Sequence, residues 1–335
     1  MSAPLERRVA LAVAGSALFA PALRAQTAVQ AQAAWNPSRP ITIIVGFPPG
    51  GRTDGAARMI RAGMQTALGV PVEVDNRGGE SGNSGTEAVM SARPDGHTLL
   101  VGNIAPMAIN PHTMEGMSLD PREMAPVGMI LQTSLILAAH PSIGVRDLAG
   151  LRSWIAAQGG QGIPYGSPGT GTLCHLAMEL LRERLGEPAL THIPVRGSSA
   201  AIHELTAGRV KLLFEGAASL APKIRSGAVT GILATGATRC PALPQIPTAA
   251  EQGLENFSFT SWIGLFAPRK TPASILARLN AALNTTLADN GLRERSAGRG
   301  DETGGGPPDT MGRVMLADYN RWGTVARENN IRAED

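Results

Sequence analysis

The segment Gly46-Phe-Pro-Pro-Gly-Gly-Arg-Thr-Asp54 combines residue types and spacing suited to holding an anion. An apolar β-branched run, Ile41 to Val45, precedes it, and a helical periodicity from Gly55 to about Leu68 follows. Where a strand, a Gly-rich turn and a helix start meet, unpaired backbone N–H groups aim outward. The helix dipole adds partial positive charge, so carboxylate or phosphate binds well there. The spacing Gly46-x-x-x-x-Gly51-Arg52-Thr53 nearly reproduces a phosphate-binding P-loop. However, Arg52 replaces the lysine, and Pro48 and Pro49 have no N–H to offer. Both facts argue against nucleoside triphosphate hydrolysis. The plain alternative is a tight turn with Thr53 or Asp54 as helix cap, a contribution of about 0.5–2 kcal/mol.

A second stretch, Gly166-Ser-Pro-Gly-Thr-Gly-Thr172, has the same character. It departs from the dinucleotide pattern GxGxxG because Cys174 takes the last glycine position. Ser167, Thr170 and Thr172 add hydroxyl donors beside free amides, which suits a small carboxylate. Nucleophilic catalysis has no recognisable pattern, since no GxSxG elbow is present. The six histidines show neither HxxxH nor HExxH spacing, and His203-Glu204 lacks a second nearby histidine, so no metal site is expected. His175, one turn past the second Gly loop, reads better as a packed or capping residue than as a base. Glu215 ends a strand candidate, Val210 to Phe214, where it faces either a crevice or solvent.

The elements that position these loops form a repeating pattern. Three strand–Gly-loop–helix units begin at Ile41, Val72 and Ile163. Further strand candidates are 97–101, 134–138, 210–214, 230–234 and 262–266, and helices alternate with most of them. This alternation predicts an α/β class with largely parallel sheets, with ligands at the loops after the strand C-termini. Residues 273–289 and 309–329 read as surface helices, with Gly304 to Pro308 as the loop between them. Aromatic residues are only 4% of the 335, which argues against a stacking surface for single-stranded nucleic acid. The N-terminus has the three parts of a secretory signal: Arg7-Arg8, an apolar run from Val9 to Ala20, and small-residue cleavage positions after Ala25 or as late as Ala33. Removing residues 1–25 takes three Arg and one Glu, so the formal charge falls from +3 to +1 and a nucleic-acid partner is not expected. The two cysteines, Cys174 and Cys240, lie far apart, leaving open both a disulfide and buried free thiols.

With the loops placed, the chain resembles the Bug-type solute receptors of the tripartite tricarboxylate transporter family. The resemblance runs from about Pro40 to about Ile331. It is carried by Arg39 to Asp54, Asn76-Arg77, Pro94-Asp-Gly-His-Thr-Leu-Leu100, Ala108-Ile-Asn-Pro111, Tyr165 to Gly171, His175-Leu-Ala177, Pro241 to Thr248 and Ser261 to Pro268. It implies a two-lobed type II periplasmic binding protein fold with a ligand cleft between the lobes. Lobe one would be 36–136 plus 236–335, and lobe two 137–235. On matching positions, Phe47, Pro49, Gly50, Gly51, Thr53 and Asp54 would form one jaw, with Ser81, Asn83, Ile104 and Ala105 lining its wall. Ser167, Gly169, Thr170, Gly171 and Thr172 would form the other, and Glu215 would stand where the family often has Asp on a ligand-facing strand end. The implied function is non-enzymatic and needs no cofactor. A monomeric periplasmic receptor would bind a small organic acid or amino acid and deliver it to membrane permease subunits. A periplasmic sensor for a membrane signalling partner, or an exported hydrolase, are the alternatives. Glu80 departs from the family's usual Arg-Pro-Gly-Ala-Gly-Gly pattern, and Arg196-Gly197 replaces its common Lys-Gly pair.

Overall fold

Two mixed sheets, each covered by helices, carry the chain. The computed structural model describes residues 35–115 and 120–333. The expected signal segment, 1–25, lies outside them. The described strands are β1 (Ile41–Val45), β2 (Val72–Asn76), β3 (Thr98–Asn103), β4 (Ala125–Thr133), β5 (Leu135–Ala139), β6 (Ile163–Ser167), β7 (Leu190–Pro194), β8 (Leu212–Gly216), β9 (Thr230–Ala234), β10 (Ser261–Ala267) and β11 (Glu302–Gly305). The first sheet has the order β11-β4-β10-β3-β1-β2 and the second β7-β6-β8-β5-β9. The chain passes from the first to the second at Ser134, between β4 and β5, and returns between Ala234 and Ser261. Thr235 ties the two crossings: its hydroxyl accepts the Leu135 N–H at 3.0 Å and donates to Phe259 O at 2.8 Å.

The expectation of largely parallel sheets needs correction. β1 runs parallel to β2 and β3, and β6 parallel to β7 and β8. β10 is antiparallel to β3 and β4, β11 to β4, and β5 to both β8 and β9. The reversals follow from β5, which begins at one crossing, and β10, which re-enters the first sheet after the other, while β11 keeps the direction of β10 across two intervening helices.

The described α-helices are α1 (Arg52–Leu68), α2 (Asn83–Met90), α3 (Asn110–Thr113), α4 (Leu148–Ala157), α5 (Leu173–Arg184), α6 (Ser198–Thr206), α7 (Ala217–Arg225), α8 (Ala273–Leu287), α9 (Asn290–Gly298) and α10 (Pro308–Glu328). α1 starts three residues before the expected Gly55, because Gly51 and not Thr53 or Asp54 is its N-cap. It buries Ala56, Ala57, Ile60, Met64 and Leu68 and ends at Gly69, whose φ of +75° allows its N–H to reach Gln65 O. β1 is buried at Ile41, Ile43, Ile44 and Val45, as a parallel strand covered on both faces should be.

α10 is not the surface helix expected. It buries Met311, Met315, Asp318, Trp322, Val325 and Ala326. One apolar cluster is continuous through it, joining Leu100 and Trp262 of the first sheet to Tyr165 and Phe214 of the second. Arg182 of α5 reaches the residue after α10, donating to Asn329 Oδ1 at 2.7 Å. Cys174 and Cys240 are both buried free thiols. No helix among the described residues is long and apolar enough to cross a membrane.

Candidate functional site

The first Gly-rich turn is rigid because glycine backbones meet there. A Cβ on Gly46 would stand 2.6 Å from Gly82 O, and one on Gly85 would stand 2.5 Å from Gly46 Cα. The turn after β1 and the loop after β2 therefore pack main chain against main chain, a separation no side chain permits. Asp54 fastens them from below. Its carboxylate accepts Gly50 N–H at 2.9 Å, Arg58 Nε at 3.0 Å and Asn76 Nδ2 at 3.0 Å, and Asn76 also donates to Phe47 O. The Arg58 guanidinium, chiefly, holds the Asp54 pKa down at about 2, with Gly50 and Asn76 assisting against burial. Asp54 is buried and all its partners are internal, so its carboxylate is occupied in holding the turn. Thr53 is also buried and accepts from Asn103 Nδ2 at 2.9 Å, while Asn103 Oδ1 accepts Ala105 N–H. The following loop places Glu80 and Ser81 at φ +47° and +53°, a left-handed pair without glycine's freedom. Asn110 pins it, donating to Ser81 O at 3.2 Å and Asn83 Oδ1 at 2.7 Å.

The second turn rests on a stack of rings. Thr172 caps α5, and its hydroxyl donates to Gly169 O at 2.8 Å. His175 Nδ1 accepts the Gly171 N–H at 3.2 Å, which requires a neutral imidazole. His175 stacks on His192 with ring centres 3.7 Å apart, and Tyr165 lies 5.0 Å beyond His192. Burial, foremost, lowers the pKa of His175 to about 3 and of His192 to about 4. Below the stack, Tyr165 donates to Glu179, which is held by Arg182 at 2.7 Å.

Ser167 Oγ lies 2.6 Å from His192 Nε2, a serine–histidine contact that the sequence did not reveal, because 25 residues and two neighbouring strands separate them. Ser167 is fully buried, and its hydroxyl donates to Gly169 O at 3.0 Å. The pair therefore supports the turn, with no exposed nucleophile.

Between the two loop systems lies a cleft of about 990 Å³. Glu80, Ser81, Asn83, Met114 and Glu115 line one wall; Pro168, Gly169, Thr170, Thr172, Val195 and Arg196 line the other. Of the expected site residues, the cleft gathers Ser81, Asn83, Gly169, Thr170 and Thr172. Gly50 and Gly51 open instead on a second cleft of about 940 Å³, with α7 and α9 in its wall. Phe47, Pro49, Thr53, Asp54, Ile104, Ala105, Ser167, Gly171 and Glu215 line neither. Phe47 packs over Gly82, where a Cβ would meet its ring at 2.7 Å.

Glu215 is 7% exposed. Its Oε1 accepts Gly216 N–H at 2.8 Å, while Oε2 has no hydrogen-bond partner among the described residues. Burial raises its pKa, opposed by the Gly216 N–H, the Ser198 hydroxyl and the Arg52 charge. Met114 and Glu115 join the cleft without any signal in the sequence, because they lie in the turn after α3, beyond the Ala108-Ile-Asn-Pro111 segment. No group of three His, Cys, Asp or Glu among the described residues is placed to hold a metal.

Comparison with known proteins gives these features a context. The tripartite tricarboxylate transporter family receptor profile matches residues 56–331. Protein BugT of Bordetella pertussis is 32% identical over 304 residues, covering 88% of this chain and 91% of that protein. Among solved structures, R. palustris Rpa4515 with adipate is 32% identical with a TM-score of 0.73, covering 88% of this chain and 99% of that one. MatC (Rpa3494) from Rhodopseudomonas palustris with bound malate is 30% identical with a TM-score of 0.69, covering 86% and 99%.

Proposed function

Because this chain belongs to the tripartite tricarboxylate transporter receptor family, as one of its Bug-type members, we propose that it captures a small carboxylate in the 990 Å³ cleft and delivers it to a membrane permease. One observation carries this reading. Ser81 and Asn83, from the first sheet's loops, stand across the cleft from Gly169, Thr170 and Thr172, from the second sheet's. A ligand touching both walls has more contacts in the closed state than in the open one, and only that difference can drive closure. Two or three charge-assisted bonds from amides and hydroxyls, at about 1.5–3 kcal/mol each, give micromolar affinity in a preformed cleft.

Adipate and malate, held by relatives about 30% identical, set the expected size and charge of the ligand. The lobes that move are 36–136 with 236–335, and 137–235, with Ser134 and Thr235 at the crossings. The protein works outside the cytoplasm as a monomer, without catalysis or cofactor. Ser167, which lies against His192, supports this by being buried and committed to Gly169.

The test is a thermal-shift screen of malate, adipate, other di- and tricarboxylates and amino acids, followed by calorimetry. A ligand at 100 times its dissociation constant adds about 2.7 kcal/mol to stability. If no organic acid binds with a dissociation constant below about 1 mM, a value matching about −4 kcal/mol, the receptor reading is wrong. Delivery is tested by co-purification of the liganded protein with the permease subunits.

A further inference from the structure

The second cleft, of about 940 Å³, carries a charge pattern unlike the first. Arg52, Arg58, Arg225, Arg295 and Arg299 all line it, and Asp301 is the one acidic residue among its lining. Asp301 is already held by Arg52 at 2.7 Å, and Arg58 is paired with the buried Asp54. Arg225 donates to a carbonyl, Ala242 O, at 2.8 Å. Neither it nor Arg295 nor Arg299 has a carboxylate within ion-pair distance among the described residues. Three arginines without an ion pair among the described residues therefore line one concavity. Like charges there repel, and low-dielectric walls concentrate their field.

A second feature has the same sign. Ala218 and Ser219, in the first turn of the nine-residue helix α7, form part of the wall. The Gly216 and Ala217 N–H groups are taken by Glu215 and Ser134 O, so the Ala218 and Ser219 N–H groups carry the partial positive charge of that helix end. The planar fork of arginine matches oxyanions in two-point contact.

We propose that this cleft is a binding site for a small polyvalent oxyanion of the phosphate class, separate from the carboxylate cleft. Its walls come from α1 and α9 on one side and α7 on the other, so the bound anion bridges elements packed on both sheets. The site does not depend on the receptor reading, because none of these arginines lines the 990 Å³ cleft.

The experiment is calorimetric titration of the full mature chain with inorganic phosphate and pyrophosphate in low-salt buffer. The wild type is compared with R295Q/R299Q and with R152Q/R184Q, a control that removes equal charge from α4 and α5. All four side chains are on exposed residues, so folding should survive, and circular dichroism checks it. The expected result is one saturable site per chain. It weakens at least about tenfold in R295Q/R299Q and stays within about twofold in the control. Absence of saturable heat overturns the proposal, as does equal weakening in both variants, which would mean only general charge attraction. Tighter binding of a hexaglutamate peptide than of pyrophosphate, lost in R295Q/R299Q, overturns it in favour of an acidic protein segment.

Discussion

Replacing Asp318 by asparagine should make the protein more stable, and only above pH 4. Asp318 sits on the buried side of α10, 5% exposed, and its Oδ2 accepts the Trp262 indole N–H at 2.8 Å. Its other oxygen is 3.5 Å from Arg321, too far for a strong bond. Burial raises its pKa from 3.8 to about 6, with the Trp262 bond and the Arg321 charge opposing. Between those values the folded chain binds more protons than the unfolded one. Stability is therefore fully present below 3.8 and is lost as pH rises through about 6. A shift of that size corresponds to about 3 kcal/mol of penalty for keeping the ionised group buried at neutral pH. The asparagine side chain would keep an oxygen for Trp262 at nearly the same volume and remove the charge. Urea denaturation of both proteins at half-unit steps from pH 4 to 8 reads the effect. D318N should gain about 1–3 kcal/mol at pH 7.5, and the gain should shrink toward zero near pH 4. A difference that stays constant across this range, or a variant weaker at pH 7.5, would refute the argument that desolvation dominates at this position.

Asp54 should behave in the opposite sense. Its folded pKa is depressed to about 2, so its stabilisation is present above 3.8 and is lost as pH falls through 2. D54N should cost about 1–2 kcal/mol at neutral pH, reduced by solvent screening of the half-exposed Arg58, and should flatten the acid limb of a denaturation profile. Gly171→Ala should lose about 1–2 kcal/mol in urea melts. Its φ is +76°, and the new Cβ would stand 3.1 Å from Ala333 and 3.2 Å from Thr113. Ser81→Ala and Thr170→Val should each weaken the organic acid found in the thermal screen by about tenfold in calorimetry, with melting temperatures unchanged. Unaltered affinity in both would remove the two walls from the binding account.

How far the sequence disclosed this structure depended on the kind of interaction. β1 and β9 were legible to the residue because their apolar β-branched runs decide their burial locally. β7 was not, because Leu190–Pro194 is an edge strand with exposed positions and no clean alternation. β11 was missed, its last two residues falling in the loop read from Gly304 to Pro308, since Glu302-Thr-Gly-Gly305 offers no apolar pattern and pairs with β4 through its backbone and the Gln132–Glu302 side-chain bond. Strand direction also escaped, because it follows from where the chain re-enters a sheet. At the site, composition marked both Gly-rich turns. What each turn leans on was invisible: the Gly46–Gly82 approach, the His175–His192 stack and the contribution of Glu115 all join segments distant in sequence. Gly50 and Gly51, grouped with Ser81 by the family resemblance, line the second cleft in this structure.

The glycine contact beneath the first wall has an evolutionary consequence. Gly46, Gly82 and Gly85 cannot accept a side chain without forcing the two loops apart. Thr170 and Arg196 line the cleft and hold no such junction. Mutation is thus channelled: the frame resists drift while the lining is free to vary. Under the proposed receptor reading, a lineage carrying this frame would change its ligand by single substitutions in the lining, each inheriting the same support.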